Sequence, residues 1–243
     1  MKRKIWLLAL VGAVLLSGSP LWADGEFYVI AGGGGEGTRI TKVPYEIKQS
    51  GFYYLGGNMT INADIDGISV TANDVTIDLM GFSLAGVGSN CGINLNGQSN
   101  VEVRNGTVRN FSVAIADKGD GTGANCRISN IRAYNNYRGI YLSGKNALVQ
   151  ACNCSNNDDV GIRVDSGTVK GNVACDNKNL GIGQYGAGSV IGNIANNNTY
   201  YNFSFAHAAK ILVDQNSASG LAVNYFPNLT GSNVIPGVNA GTP

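Results

Sequence analysis

The sequence predicts an all-β fold, a right-handed parallel β-helix with three short strands per rung, and three observations carry that prediction. The first is a repeat of ~20–25 residues, the length of one solenoid unit. Residues 139–160 read GIYLSGKNALVQACNCSNNDDV, and residues 161–180 answer with GIRVDSGTVKGNVACDNKNL. The second is alternation within each copy: Ile140 and Leu142, Leu148 or Val149, Cys152 and Cys154, then Ile162 and Val164, Val169, Val173 and Cys175. Apolar residues at every second position mark strands with one buried face. The third is composition. The chain has 35 Gly and only 14% charged residues, where an average globular chain is about 25% charged. Tight turns that need positive φ, with few long loop tips in water, account for both.

The chain opens with a leader. Lys2, Arg3 and Lys4 form a basic start, and Ile5 to Leu16 is an apolar run too short to serve as a folded anchor. Leu21-Trp22-Ala23 is an acceptable cleavage site, so residues 1–23 read as a signal peptide and the mature chain as secreted or periplasmic. No second apolar stretch would hold it in a membrane. Residues 24–50 read as an N-terminal cap, which an open first rung needs to protect its edge. Within it, Gly32-x-Gly34-x-x-Gly37 matches a dinucleotide fingerprint in form, but Thr38 to Pro44 is β-like and broken by proline. No helix follows to present its N-terminus to a phosphate.

Residues 51–220 read as the β-helix, of roughly seven to eight rungs, about 35 Å long. A Gly-Ile phrase marks them at Gly67-Ile68, Gly92-Ile93, Ala114-Ile115 (degenerate), Gly139-Ile140, Gly161-Ile162 and Gly181-Ile182. A second strand begins at Val75, Val101, Cys126, Ala147, Gly167, Ser189 and Lys210. The third strand carries Phe82–Leu84, Thr107–Val108, Ile131, Cys152, Val173 and Ile194. This alignment stacks Asp78 on Arg104 and Glu102 on Arg127, opposite charges on adjacent strands, although charge did not build it. Asn clusters recur after the third strand: Asn135-Asn136, Asn156-Asn157, Asn177 with Asn179, and Asn196 to Asn198. Asn tolerates a left-handed corner and hydrogen-bonds in ladders. Residues 221–243 read as a C-terminal cover and flexible tail.

All five Cys fall in the mature chain. Cys154 and Cys175 lie a rung apart, so they should stack at about 4.8 Å. That spacing suits either a disulfide or a file of small apolar side chains. Cys126 also takes an inward position.

Residues 75–86, VTIDLMGFSLAG, carry a resemblance. The phrase is similar to one near the first full rung of exported bacterial β-helix repeat proteins of the pectin-lyase-like superfamily. Gly51-Phe52-Tyr53-Tyr54-Leu55 and the Gly-Ile rungs resemble that group as well, over roughly Gly51 to Gly220. The resemblance implies the fold. It leaves function open, since the superfamily holds pectate and pectin lyases, polygalacturonases, alginate epimerases, phage tailspikes, adhesins and a copper-insertion accessory protein.

Candidate chemistry gathers in mid-solenoid. Asp158 and Asp159 stand at the corner before Gly161, Arg163 faces outward on the next strand, and Tyr141 lies beside it one rung away. Arg138, Asp165, Asp176 and Lys178 fall within a rung or two. A pectate-lyase-type site needs acidic residues to hold calcium on a uronate and a base to take the proton α to its carboxylate. Here Asp158, Asp159 and Asp176 would hold the cation, Arg163 or Lys178 would be the base, and Tyr137, Arg138 and Tyr141 would touch substrate. The other reading is a solvated corner with charge pairs. The three Asp and a His of a polygalacturonase are not assembled in sequence, and the single His207 lies near the C-terminal end. Asp117 to Gly123 resembles a calcium loop only faintly, without the alternating ligands or closing Glu. Outward Tyr137, Tyr141, Tyr200, Tyr201 and Phe203 offer surfaces for sugar rings. With a formal charge of +1 there is no electrostatic footprint for nucleic acid. The expected function is therefore a secreted β-helix scaffold or binding module contacting polysaccharide or a cell-surface glycan. The alternative is a uronate lyase, with calcium as the one cofactor in question.

Overall fold

A computed structural model describes residues 37–88, 90–117, 121–206, 210–220, 223–226 and 234–240. The expected leader (1–23), residues 24–36 of the cap, His207 and part of both the 117–123 loop and the tail lie outside the described residues.

Among the described residues the strands form three sheets of 12, nine and two strands, and every pairing between them is parallel. Strands of the 12-stranded sheet (sheet one) alternate along the chain with those of the nine-stranded sheet (sheet two). Each chain segment therefore climbs one level before it returns to the same sheet, which is the path of a parallel β-helix. The ladders run past both expected boundaries. Strands Thr38–Ile40 and Tyr45–Ile47 already pair in register with Gly51–Leu55 and Ile68–Val70. At the other end Val223–Phe226 and Val234–Pro236 extend sheets two and one.

The Gly-Ile phrase is the spine of the core. Ile68, Ile93, Ile115, Ile140, Ile162, Ile182 and Phe203 pair successively in sheet two and are all buried. In sheet one Ile77, Val103, Ile128, Val149, Val169, Val190 and Val213 form a second interior file. Burying each such side chain stabilises the fold by ~1.5–3 kcal/mol. Except at Ala114-Ile115, the residue before each isoleucine of the file is a glycine, in close approach to its neighbours. A Cβ on Gly161 would stand 2.6 Å from the Cys154 carbonyl oxygen, and one on Gly181 2.5 Å from Asn198 Nδ2. The expected charge columns are in register, Asp78 with Arg104 and Glu102 with Arg127. Arg104 bonds both acids, Asp78 at 2.8 Å and Glu102 at 3.3 Å.

Asparagine occupies interior positions too, in two ladders. In one, Asn136, Asn157, Asn177 and Asn198 are buried, and each Nδ2 donates to the Oδ1 one rung on, at 3.2, 3.0 and 2.9 Å. In the other, Asn172, Asn193, Asn216 and Asn239 do the same at 3.0, 2.9 and 3.1 Å. Each ladder member also takes a backbone N–H from the rung below, as Asn177 does from Asn157 at 3.0 Å. Buried amides are tolerated because nearly every donor and acceptor is matched. The corner residues just before the first ladder, Asn135, Asn156, Asp176 and Asn197, all have φ between 54° and 57°.

The second ladder alters the third strand. Ile131 and Cys152 are inside, as expected, but Asn172 and Asn193 continue their file. Val173 and Ile194 come one residue later and continue the outer-face column of Arg132 and Asn153, Asn153 pairing with Val173 and Val173 with Ile194. Ile194 is 42% exposed, while Ala174 and Ala195 take the inside. A slip of one residue turns every side chain to the other face.

Candidate functional site

The expected site lies on the outer face of sheet two, across strands Arg138–Leu142, Val160–Val164 and Leu180–Gln184. Alternation sends Ile140 and Leu142 inward and leaves Tyr141 outside. Above it in the same column stand Arg163 and then Gly183. Gly183 leaves the space above Arg163 to Tyr185, which leans back over it. A Cβ on Gly183 would sit 2.7 Å from Tyr185 Cε2. The Arg163 guanidinium is thereby held 4.9 Å from the Tyr141 ring centre and 4.2 Å from that of Tyr185. Arg138 lies 5.2 Å from the Tyr137 ring and 5.9 Å from Tyr141. The result is a ridge of three tyrosines and two arginines in cation–π contact. Tyr137 and Tyr185 are 49% and 38% exposed. Cys91, Val113 and Ala116 form a small apolar cluster on which Tyr141 packs.

Acidic neighbours neutralise the ridge. Arg138 Nε donates to Asp159 Oδ2 at 2.7 Å, and Asn179 Nδ2 donates to Asp159 Oδ1 at 2.7 Å. Asp159 is itself buried. Burial works to lower the pKa of Arg138, but the bond and the charge of Asp159 outweigh it, and the net shift is upward. Arg163 reaches Asp165 at 3.3 Å, and Lys178 reaches Asp158 at 2.7 Å in an open, exposed pair.

Of the residues anticipated from sequence, Tyr137, Arg138, Tyr141, Arg163 and Asp159 come together here. Asp158 and Lys178 pair with each other at the adjoining corner. Asp176 does not join them. It precedes ladder residue Asn177 at the left-handed corner, φ 56°, whereas Asp158 and Asp159 follow ladder residue Asn157. Among the described residues no three His, Cys, Asp or Glu side chains gather as metal ligands. Tyr185 was not anticipated, because it lies in the turn after its strand and only the gap over Gly183 brings it to the ridge. Phe203, expected outside, is inside, since it pairs with Ile182 in the isoleucine file. Tyr201 instead packs against Phe226, the rings tilted with their centres 4.8 Å apart.

The expected stacking of Cys154 and Cys175 is corrected by the same slip that moved Val173. The Val173 carbonyl accepts from the Cys154 amide, so Ala174 follows Cys154 on the inside. Cys175 falls above Ser155, whose hydroxyl oxygen accepts from its amide at 3.0 Å. The two thiols occupy different files and form no disulfide, and Cys126 and Cys152 are likewise free. Burial pushes the Cys152 thiol up to about 12 and Cys154 well above its ordinary value.

A profile described as the right handed beta helix region matches residues 60–218, more than half of the chain. The chain belongs to the right-handed β-helix family. The handedness agrees with the near-universal rule for parallel crossovers. The matched span contains both asparagine ladders up to Asn216 and every member of the tyrosine–arginine ridge, so the candidate site is built on the family's repeats themselves. No curated protein and no solved structure matches the chain.

Proposed function

We propose that this right-handed β-helix is an exported binding module that contacts extracellular polysaccharide through the tyrosine–arginine ridge and performs no turnover. The observation that carries the reading is the ridge itself. Tyr137, Tyr141 and Tyr185 stand out from sheet two with Arg138 and Arg163 locked between them. Aromatic and arginine side chains of this kind dominate recognition surfaces, because they bring large contact area and hydrogen-bond donors in a preset arrangement. Export is supported by the basic and apolar start of the chain and the cleavage site near Ala23.

The uronate-lyase alternative asks Asp158, Asp159 and Asp176 to share a cation and Arg163 or Lys178 to remove a proton. Against it stand the ion pairs of this corner: Asp159 holds Arg138, Asp158 holds Lys178, and Arg163 holds Asp165. One experiment separates the readings. The mature protein is mixed with insoluble polysaccharides for co-sedimentation, and in parallel with soluble acidic polysaccharides plus calcium while ultraviolet absorbance is followed. Co-sedimentation without new absorbance is the expected result. Unsaturated products that vanish in Arg163→Ala would replace the binding module with the lyase.

A further inference from the structure

We propose that the glycan taken by the ridge is uncharged; this rests on the binding-module reading and narrows its ligand. Every cation of the ridge already has a carboxylate. Arg138 and Asp159 are 2.7 Å apart, and Arg163 and Asp165 are 3.3 Å apart. Asp159 is buried and held a second time by Asn179 at 2.7 Å, so it does not swing away to make room for another acid. A uronate carboxylate brought to either guanidinium would face Asp159 or Asp165 across a few ångström. Juxtaposed like charges are the device by which interfaces reject wrong partners.

The ring contacts point the same way. With guanidinium groups packed over the tyrosine rings, the ridge presents ring edges, phenol hydroxyls and the remaining guanidinium N–H groups. Phenol hydroxyls both donate and accept, while guanidinium only donates. Neutral sugar hydroxyls answer both. From the rung of Tyr141 to that of Gly183 is two strand spacings, about 10 Å along the helix axis. A short stretch of oligosaccharide laid along the axis would span it.

The test uses the mature chain and a panel of named polymers: uncharged glucan, xylan and galactomannan against acidic polygalacturonate and alginate, without calcium. At least one uncharged polymer should bind more tightly than either acidic one. Its affinity should change less than about twofold between ~0.05 and 0.5 M salt, because no net charge is being screened. The Asp159→Asn/Asp165→Asn variant leaves both guanidiniums uncompensated, and it should gain about tenfold in low-salt affinity for the acidic polymers. A folded variant with no such gain counts against the proposal. Tighter binding of polygalacturonate or alginate by the parent protein, lost at high salt, overturns it while leaving the binding module standing. Failure to bind any polymer brings down the binding-module reading and this inference with it.

Discussion

Asn157→Ala is the sharpest perturbation of the fold. Asn157 sits mid-ladder. Its Oδ1 accepts the Asn136 backbone N–H and Nδ2, both at 3.2 Å, and its Nδ2 donates to Asn177 Oδ1 at 3.0 Å and to the Ala133 carbonyl at 3.1 Å. Alanine leaves the Asn136 amide N–H buried without that acceptor, at a cost of ~1–3 kcal/mol. Loss of the bonds to Asn177 and Ala133 adds about 1 kcal/mol each. The sum, roughly 3–5 kcal/mol, is a large part of the ~5–15 kcal/mol that holds a domain together. Asn156→Gly is the matched control. That residue is exposed, with φ 57°, a conformation glycine adopts freely, so its change should be within about 0.5 kcal/mol. Urea unfolding followed by far-ultraviolet circular dichroism reads both. Equal midpoints for Asn157→Ala and Asn156→Gly would refute the reasoning.

Three further outcomes follow from the same geometry. The buried thiols of Cys152 and Cys154 have folded pKa values raised above the ordinary 9.0, so the folded state favours the protonated forms. Their contribution is whole below the ordinary value of 9.0 and is lost as pH climbs above it, for Cys152 toward about 12, at up to ~1.4 kcal/mol per pH unit for each thiol. Urea midpoints between pH 8 and pH 10 should fall, and Cys152→Ala should flatten the slope. Half-buried Cys175 should react with a thiol reagent in the native protein while Cys152 and Cys154 wait for unfolding, and mass spectrometry should find no Cys154–Cys175 crosslink. Gly183→Ala should push Tyr185 off Arg163, since the new methyl meets Tyr185 Cε2 at 2.7 Å. Glycan affinity should drop several-fold with the fold retained, and unchanged affinity would remove Tyr185 from the ridge.

The sequence carried the solenoid because its signal is periodic. Every Gly-Ile phrase pairs with the next, through Ile182, and the Asp78–Arg104 column is an ion pair. What it did not carry lies where an interior position is polar. Hydrophobic alternation assigns the inside to Val173 and Ile194, yet Asn172 and Asn193 hold that file because their amides satisfy one another. The misplacement of Cys175 follows from that one slip. The site was legible up to Arg163 and Tyr141, neighbours in a strand column. Tyr185 was not, because its place depends on the missing side chain of Gly183, a fact of volume rather than of pattern. The ion pair of Lys178 with Asp158 was likewise beyond alternation, since both residues stand at corners.

The most direct measurement of the central claim maps binding to a face. Tyr185→Ala alters the ridge on sheet two, and Leu212→Ala alters the exposed outer face of sheet one. Titration of each folded variant with the polysaccharide bound best by the parent should show a loss of about tenfold or more for Tyr185→Ala. Leu212→Ala should bind as the parent does. Equal affinities for Tyr185→Ala and parent, or a loss confined to Leu212→Ala, would contradict the account.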